Sequence, residues 1–436
     1  MLFVRETLPV AMMNFVECIR FNGNSIGCGE RVPVVFEMQV DRCGKLNLHF
    51  EPLTSRAGMR IINWPRPGRN VEYLDLEGTS STGEQLYSDS FYMTSFESSS
   101  DVTEGTTIKF FGRCAQAKLL RGMQAPSPHK QLIWYLRQFE TFGPMRRDTA
   151  FGRVRASGAQ PSDNSKHLTG HIAIEAPDDT DEGWWEQSDK LLGHITRVLS
   201  LARGTYLRPI VERRVQGSTD IFKVSELDLG ENPFLSPFHP QNLQPIFDCA
   251  CDSFAELAVV MKSLDPAIQW LLAPASYDEI RLISAMTALE NIVEAAYPEK
   301  KTRIVPRGTF DKFAKAVRTV IRERGLPQAL QLKLPELNRP PLIDKLTRYV
   351  DERGIIIADF AQNALEELIK ARDVIVHRGL YFEADDPDQV DAWEHIIVPK
   401  ELAIRILLKA LRFEGSYFSA LHEGKQLSFP SCRPLS

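Results

Sequence analysis

The hydrophobic period changes once along this chain, and that change limits the fold more than any other feature. Over about the first 175 residues, short β-rich runs such as "VPVVFEMQV" (32–40), "KLNLHFEPL" (45–53), "TTIKFFGRCAQAKLL" (106–120) and "LTGHIAIEAP" (168–177) predict strands. The Gly- and Ser-rich stretches "LEGTSSTGEQ" and "ESSSDVTEG" between them read as loops. A helix is expected over 182–202, then two strands around "YLRPIVERRV" and "TDIFKVSEL". After "LGENPFLSPFHPQN" the period becomes 3.6, with helices expected over 243–264, 277–296, 310–324, 342–353, 357–376 and 390–413, the last interrupted at Pro399. Asp278 and Asp311 stand near helix starts, and Gly325, Gly354 and Gly379 near ends. The expectation is an α+β chain: a β-rich N-terminal domain (1–273) and an all-α domain (274–436), divided near Pro274.

A chain of 436 residues exceeds what one core usually spans, which agrees with two domains. With 43% hydrophobic and 25% charged residues, it can bury a core. A net charge of -5 does not advertise nucleic-acid binding, so any basic surface must be local. No apolar run approaches the roughly 20 residues that span a bilayer, and no membrane partner is expected. The start, "MLFVRETLPVAMMNF", carries a charge pair within its apolar stretch and reads poorly as a signal peptide. Seven cysteines, sparse and odd in number, fit a reducing cytoplasm. Cys18, Cys28, Cys43 and His49 are too irregularly spaced for a metal site, and Cys249 and Cys251 fall on different helix faces. No phosphate-cradling glycine motif occurs, so no cofactor or metal is expected. "WW" at Trp184 and Trp185 reads as packing or as a recognition surface.

The residue that breaks pattern is Arg372, in "NALEELIKARDVIVHRGLYF" (363–382). Its neighbours three and four residues away are Leu368, Ile369, Ile375 and Val376, all apolar. Two readings stand side by side. Arg372 lays its methylenes on the core or pairs with an acid, Glu290 being the candidate. Alternatively its charge serves chemistry together with His377, five residues on, near the negative end of the helix dipole. On an ideal helix these two side chains are about 140° apart, so one reacting group meets both only at a helix end or across two subunits. The bare pattern, an arginine followed after four to six residues by a histidine, is weak: Arg42 and His49 match it with six residues between them, within a strand pattern, and are given no role.

"ARDVIVHRG" at the end of a long helix resembles the R-x4–6-H motif of the HEPN ribonucleases, here Arg372 to His377 with polar Asp373 directly after the arginine. A β-rich domain ahead of such a domain, with "LARGTYLRPIVERR" (201–214) and "ALENIVEAAYP" (288–298), is similar to the ApeA family of bacterial anti-phage proteins. The resemblance implies a HEPN-like helical bundle as effector and an N-terminal sensor or restraint. It also implies a homo-oligomer, at least a dimer through the HEPN domain, whose paired Arg372 and His377 cleave RNA, and a phage-derived trigger. Some HEPN toxins carry a tyrosine two residues after the histidine. Here position 379 is Gly and the nearest tyrosine is Tyr381, so that control is not carried over.

The residue types suit the reaction. RNA supplies its own 2′-hydroxyl nucleophile, a histidine can move both protons, and an arginine can stabilise the crowded phosphorane. Asp373 either orients His377 or forms an ordinary surface pair, and Arg378 either touches phosphate or favours the helix C-terminus. The segment 298–325 holds nine Lys or Arg and three acids, either an RNA approach or a solvated face. The rival to a ribonuclease is a non-catalytic helical dimerisation module joined to a β-rich ligand-binding domain.

Overall fold

The computed structural model describes residues 18–27, 30–40, 46–62, 73–101, 105–114, 116–159, 167–177, 181–225, 236–257, 261–273, 275–298, 302–379 and 392–434. The N-terminal stretch 1–15, Cys28, Cys43, Pro274 and Tyr381 lie outside them. The chain forms two compact units. The first is Met1–Leu199 with Leu207–Gly230 and Pro240–Asp252; the second is Ser253–Ser436 with Ser200–Tyr206 and Glu231–His239. The helix just before Pro274 groups with the second.

The first unit is β-rich. Strands β1 (Ile19–Gly27), β2 (Glu30–Val40), β3 (Leu46–Pro52), β4 (Leu74–Ser80), β5 (Gln85–Asp101) and β6 (Gly105–Cys114) pair in the order β4-β1-β2-β3-β6-β5. Pairing of β4 with β5 closes this path into a six-stranded barrel, with helix α1 (Ser55–Ile62) against β3 and β6. Closure removes the unpaired edges an open sheet would expose. Alternate residues point inward, as in Leu46, Leu48 and Phe50 of β3. The interior is aromatic: Phe21 stacks on Phe36 at 5.0 Å and Phe50 on Phe110 at 4.9 Å, with Phe91 edge-on to Phe50 at 5.4 Å. Two glycines make room for these rings. A Cβ on Gly112 would lie 2.3 Å from the Phe91 ring, and one on Gly78 would lie 2.6 Å from that of Phe36.

The 22-residue strand β7 (Gln116–Arg137) carries the sheet outward. It pairs with β5 and β10 (Leu168–Glu175) on one edge and along the other with β11 (Pro209–Ser225). Strands β8 (Met145–Thr149) and β9 (Gly152–Gly158) extend from β10. β11 is one strand with irregular register at Val215/Gly217, where two strands were expected; Gly217, at φ +56°, absorbs the break. Helix α2 (Trp184–Arg203) forms within two residues of its expected start, and Trp184 is buried, its indole N–H donating to the Phe151 carbonyl at 2.8 Å. "LEGTS" and "ESSS" are strand, not loop: both are paired into the barrel wall, where Gly78 leaves room for the Phe36 ring.

The second unit is mostly helical: α4 (Met261–Leu271), α5 (Asp278–Ala296), α6 (Arg307–Glu323), α7 (Ala329–Lys333), α8 (Leu342–Arg353), α9 (Ala364–Arg378) and α10 (Ala392–Ala410) follow α3 (Leu243–Leu257). Three expectations fail here. Helix α9 begins at Ala364, not 357, because Gly354 ends α8 in the left-handed region and Asp359 is held by Arg405 of α10. Helix α10 continues through Pro399, since loss of one backbone N–H is tolerable where the helix is held by burial on both sides of it. The region is also not all-α: β12 (Gly415–Ser419), β13 (Lys425–Phe429) and β14 (Arg433–Pro434) form a three-stranded sheet. Its signal is alternation too short to notice, Tyr417 and Ser419 inward on one strand, Leu427 and Phe429 on the next. Among the described residues, no helix is long and apolar enough to cross a membrane.

Candidate functional site

Helix α9 packs against α5, α8 and α10, and its Leu368, Ala371 and Ile375 are buried. The apolar stripe around Arg372 is therefore divided: Leu368 and Ile375 face the core, Ile369 is half-buried and Val376 is 55% exposed. Arg372 lies at the dividing line, its side chain about one-third exposed. One terminal nitrogen is 2.9 Å from Glu290 Oε1 on α5, and the other donates to Asp373 Oδ1 at 2.9 Å. Burial works against the guanidinium charge. The Asp373 hydrogen bond and the field of Glu290 more than offset it, raising the Arg372 pKa.

His377 and Arg378 occupy the last turn and are exposed. Gly379, at φ +78°, closes the helix by donating its N–H to the Ile375 carbonyl at 2.7 Å. Both side chains thus lie where unsatisfied carbonyls favour positive charge. Asp373 turns its carboxylate to Arg372. Of the five candidate residues, Arg372, Asp373 and Glu290 are brought together, while His377 and Arg378 lie in the last turn of α9; inside one chain the guanidinium is gathered to carboxylates while the imidazole stands at the surface. His49, on β3, faces Glu37 at 2.9 Å.

Beside this helix, α8 and α9 enclose an open groove of about 760 Å³. Ile343, Thr347 and Ile369 line it together with the charged residues of both helices, including Asp344, Asp351 and Glu366. The basic segment forms α6, whose Lys312, Lys315 and Arg322 are exposed.

A second cluster escaped sequence reasoning. Arg405, fully buried in the apolar run of α10, donates to Asp359 Oδ1 at 2.7 Å and Oδ2 at 2.6 Å. Its Nε donates to Glu401 Oε1 at 2.9 Å and Tyr417 Oη at 3.0 Å, and the ring of Phe360 lies 4.9 Å from its guanidinium carbon. Tyr417 donates to Glu401 at 2.7 Å, and Glu401 also accepts the Ala420 N–H at 3.1 Å. His422 Nε2 lies 2.7 Å from Asp359 Oδ2. Burial alone would raise Asp359, but hydrogen bonds from Arg405 and His422 outweigh it and hold the carboxyl at about 2. Burial, and then the Glu401 charge, push the Tyr417 phenol well up. Arg405, Asp359, Glu401 and Tyr417 are linked by these bonds within the fold, so the cluster is a clamp between α10, the loop before α9 and the three-stranded sheet. Arg405 within "ELAIRILLKA" was a visible anomaly of the same kind as Arg372.

Among the described residues, no group of three or more His, Cys, Asp and Glu side chains is placed to hold a metal. Cys251 is buried and its thiol is pushed up by that burial, as for a packing residue. No protein-family model matches this chain, and no curated protein or solved structure does either.

Proposed function

We propose that the chain is a metal-independent endoribonuclease of the HEPN type, acting in bacterial anti-phage defence as a cytoplasmic homo-oligomer. What supports the reading is the pairing on the last two turns of α9: a part-buried arginine kept charged and an exposed histidine at the negative end of the helix. In the proposed reaction His377 moves the 2′-hydroxyl and 5′-oxygen protons, and Arg372 receives the phosphorane charge. Val376, exposed between them, would pack against a second subunit that supplies the other half of the site. The immunity role and the sensor role of the β-rich region rest on resemblance alone.

The Arg372–Glu290 pair favours a second reading, in which the arginine is structural and the helical region only assembles. The two separate cleanly. Wild type and His377→Ala are incubated in EDTA with RNA and with DNA of the same sequence. RNA-only cleavage that disappears in the variant supports the enzyme. Equal cleavage by both proteins removes His377 from the mechanism. Wild type that becomes active only with a phage component adds the sensor role.

A further inference from the structure

Helix α6 is only half covered by its own fold. Its apolar residues form one broad stripe, yet only Ala314 and Ile321, on one edge, are buried. The other edge exposes Phe313 and Val320, each 52% accessible, seven residues apart and so on one ridge. Ile304, Leu330 and Leu332 nearby are exposed as well, the last at 76%. Such a concentration marks an interaction surface. The helix is also basic: Arg307, Lys312, Lys315, Arg318 and Arg322 against Asp311 and Glu323. Pairing this face with the same face of another copy would oppose like charges.

The α8–α9 groove has the complementary character. Ile343 and Ile369 provide apolar wall, and Asp344, Asp351, Glu352 and Glu366 outnumber Arg348 and Lys370. Arg348 is already paired with Glu352 at 2.7 Å, and Lys370 with Glu367 at 2.7 Å. The groove therefore presents acid rather than base. Lengths also agree: the Phe313-to-Val320 ridge is about 10 Å long, and the α8 wall from Ile343 to Glu352 is about 14 Å.

We propose that the exposed edge of α6 seats in the α8–α9 groove of a second copy of this chain, with Phe313 and Val320 against Ile343 and Ile369 and the basic flank against the acidic rim. This is helix-in-groove recognition with anchors at i and i+7. A two-fold pair of copies makes the contact twice, each lending its helix and receiving the other's. The interface stands without the ribonuclease reading and is read by mass, not cleavage.

The test measures the mass of the full chain against concentration, at low and high salt, for wild type, Phe313→Asp, Glu366→Lys and Lys312→Glu. All three side chains are exposed, and circular dichroism verifies folding. Wild type should associate more tightly at low salt. Phe313→Asp should weaken association at least about tenfold, as loss of an interface anchor does. Mixing Phe313→Asp, whose groove is intact, with Glu366→Lys, whose helix is intact, should restore one contact and recover a mixed dimer. A wild type that stays monomeric overturns the proposal, as does a Phe313→Asp protein that associates normally. Mixing that recovers nothing overturns it too, since self-pairing of α6 would then be the better account. If wild type is monomeric and Phe313→Asp instead loses binding to anionic vesicles or to RNA, the surface belongs to that partner and not to a second copy.

Discussion

Arg405 and Asp359 face each other through two parallel hydrogen bonds of 2.7 and 2.6 Å, and the arginine is wholly shielded from water. Charge in such a place is stable only while every partner is present. Arg405→Met fills similar volume but leaves Glu401, itself fully buried, facing Tyr417 without a cation. The loss should be about 3–5 kcal/mol, read as a lower midpoint in denaturant unfolding. A variant as stable as wild type would show that the cluster does not hold the unit together.

The same cluster sets an acid limit. Asp359 is held at about 2, below its ordinary 3.8, so its stabilisation is complete above about pH 4 and fades as pH falls toward 2. The shift corresponds to roughly 2–3 kcal/mol. Stability measured from pH 5 down to pH 2 should fall less steeply in Asp359→Asn, which starts lower and has no such group to titrate. Parallel slopes in the two proteins would place the acid sensitivity elsewhere.

Arg372 separates structure from chemistry by the size of its effect. Its pair with Glu290 is about one-third exposed on each side, where such pairs contribute at most ~1 kcal/mol. Arg372→Ala should therefore unfold within a few degrees of wild type while losing RNA cleavage. Glu290→Gln should retain or increase cleavage by releasing the guanidinium. A large drop in melting temperature for Arg372→Ala, together with inactive wild type, would favour the structural role.

Asn338 fastens the start of α6 to the turn ahead of α8. Its buried side-chain amide accepts the Val305 N–H at 2.9 Å and donates to the Val305 carbonyl at 3.1 Å. Asn338→Ala removes both bonds, a local loss of about 1–3 kcal/mol. Amide exchange should accelerate across 302–323 and stay unchanged in the barrel. Acceleration everywhere would mean that the fastening is global.

How much the sequence disclosed depends on which signals are local. Most helices after residue 240 were legible because their period persists for three turns or more, and α8 was read to the residue. The 357–363 loop was not, since its Ile and Phe continue the helical period while Asp359 is drawn to an arginine 46 positions away. The barrel was half visible. β2 and β3 carry branched and aromatic residues, whereas β4 and β5 are rich in small polar residues and read in part as loops; Gly78 of β4 faces the Phe36 ring, and Ser98 and Ser99 of β5 are exposed. The candidate site was legible as an anomaly on α9, and the Glu290 partner was named from the apolar face of α5. The acid-rimmed groove was not, because it exists only once α8 and α9 are side by side.

The clamp around Arg405 also orders events in time. Helix α10 encloses Arg405 and Glu401, yet Tyr417, Ala420 and His422, which complete their bonding, come from residues translated afterwards. A nascent chain that has emerged only as far as residue 410 has Asp359 for Arg405 but lacks the Tyr417 hydroxyl and the Ala420 N–H that Glu401 accepts. The cluster must wait for residues 417–422 before it closes, which makes that small sheet a latch over charges laid down before it.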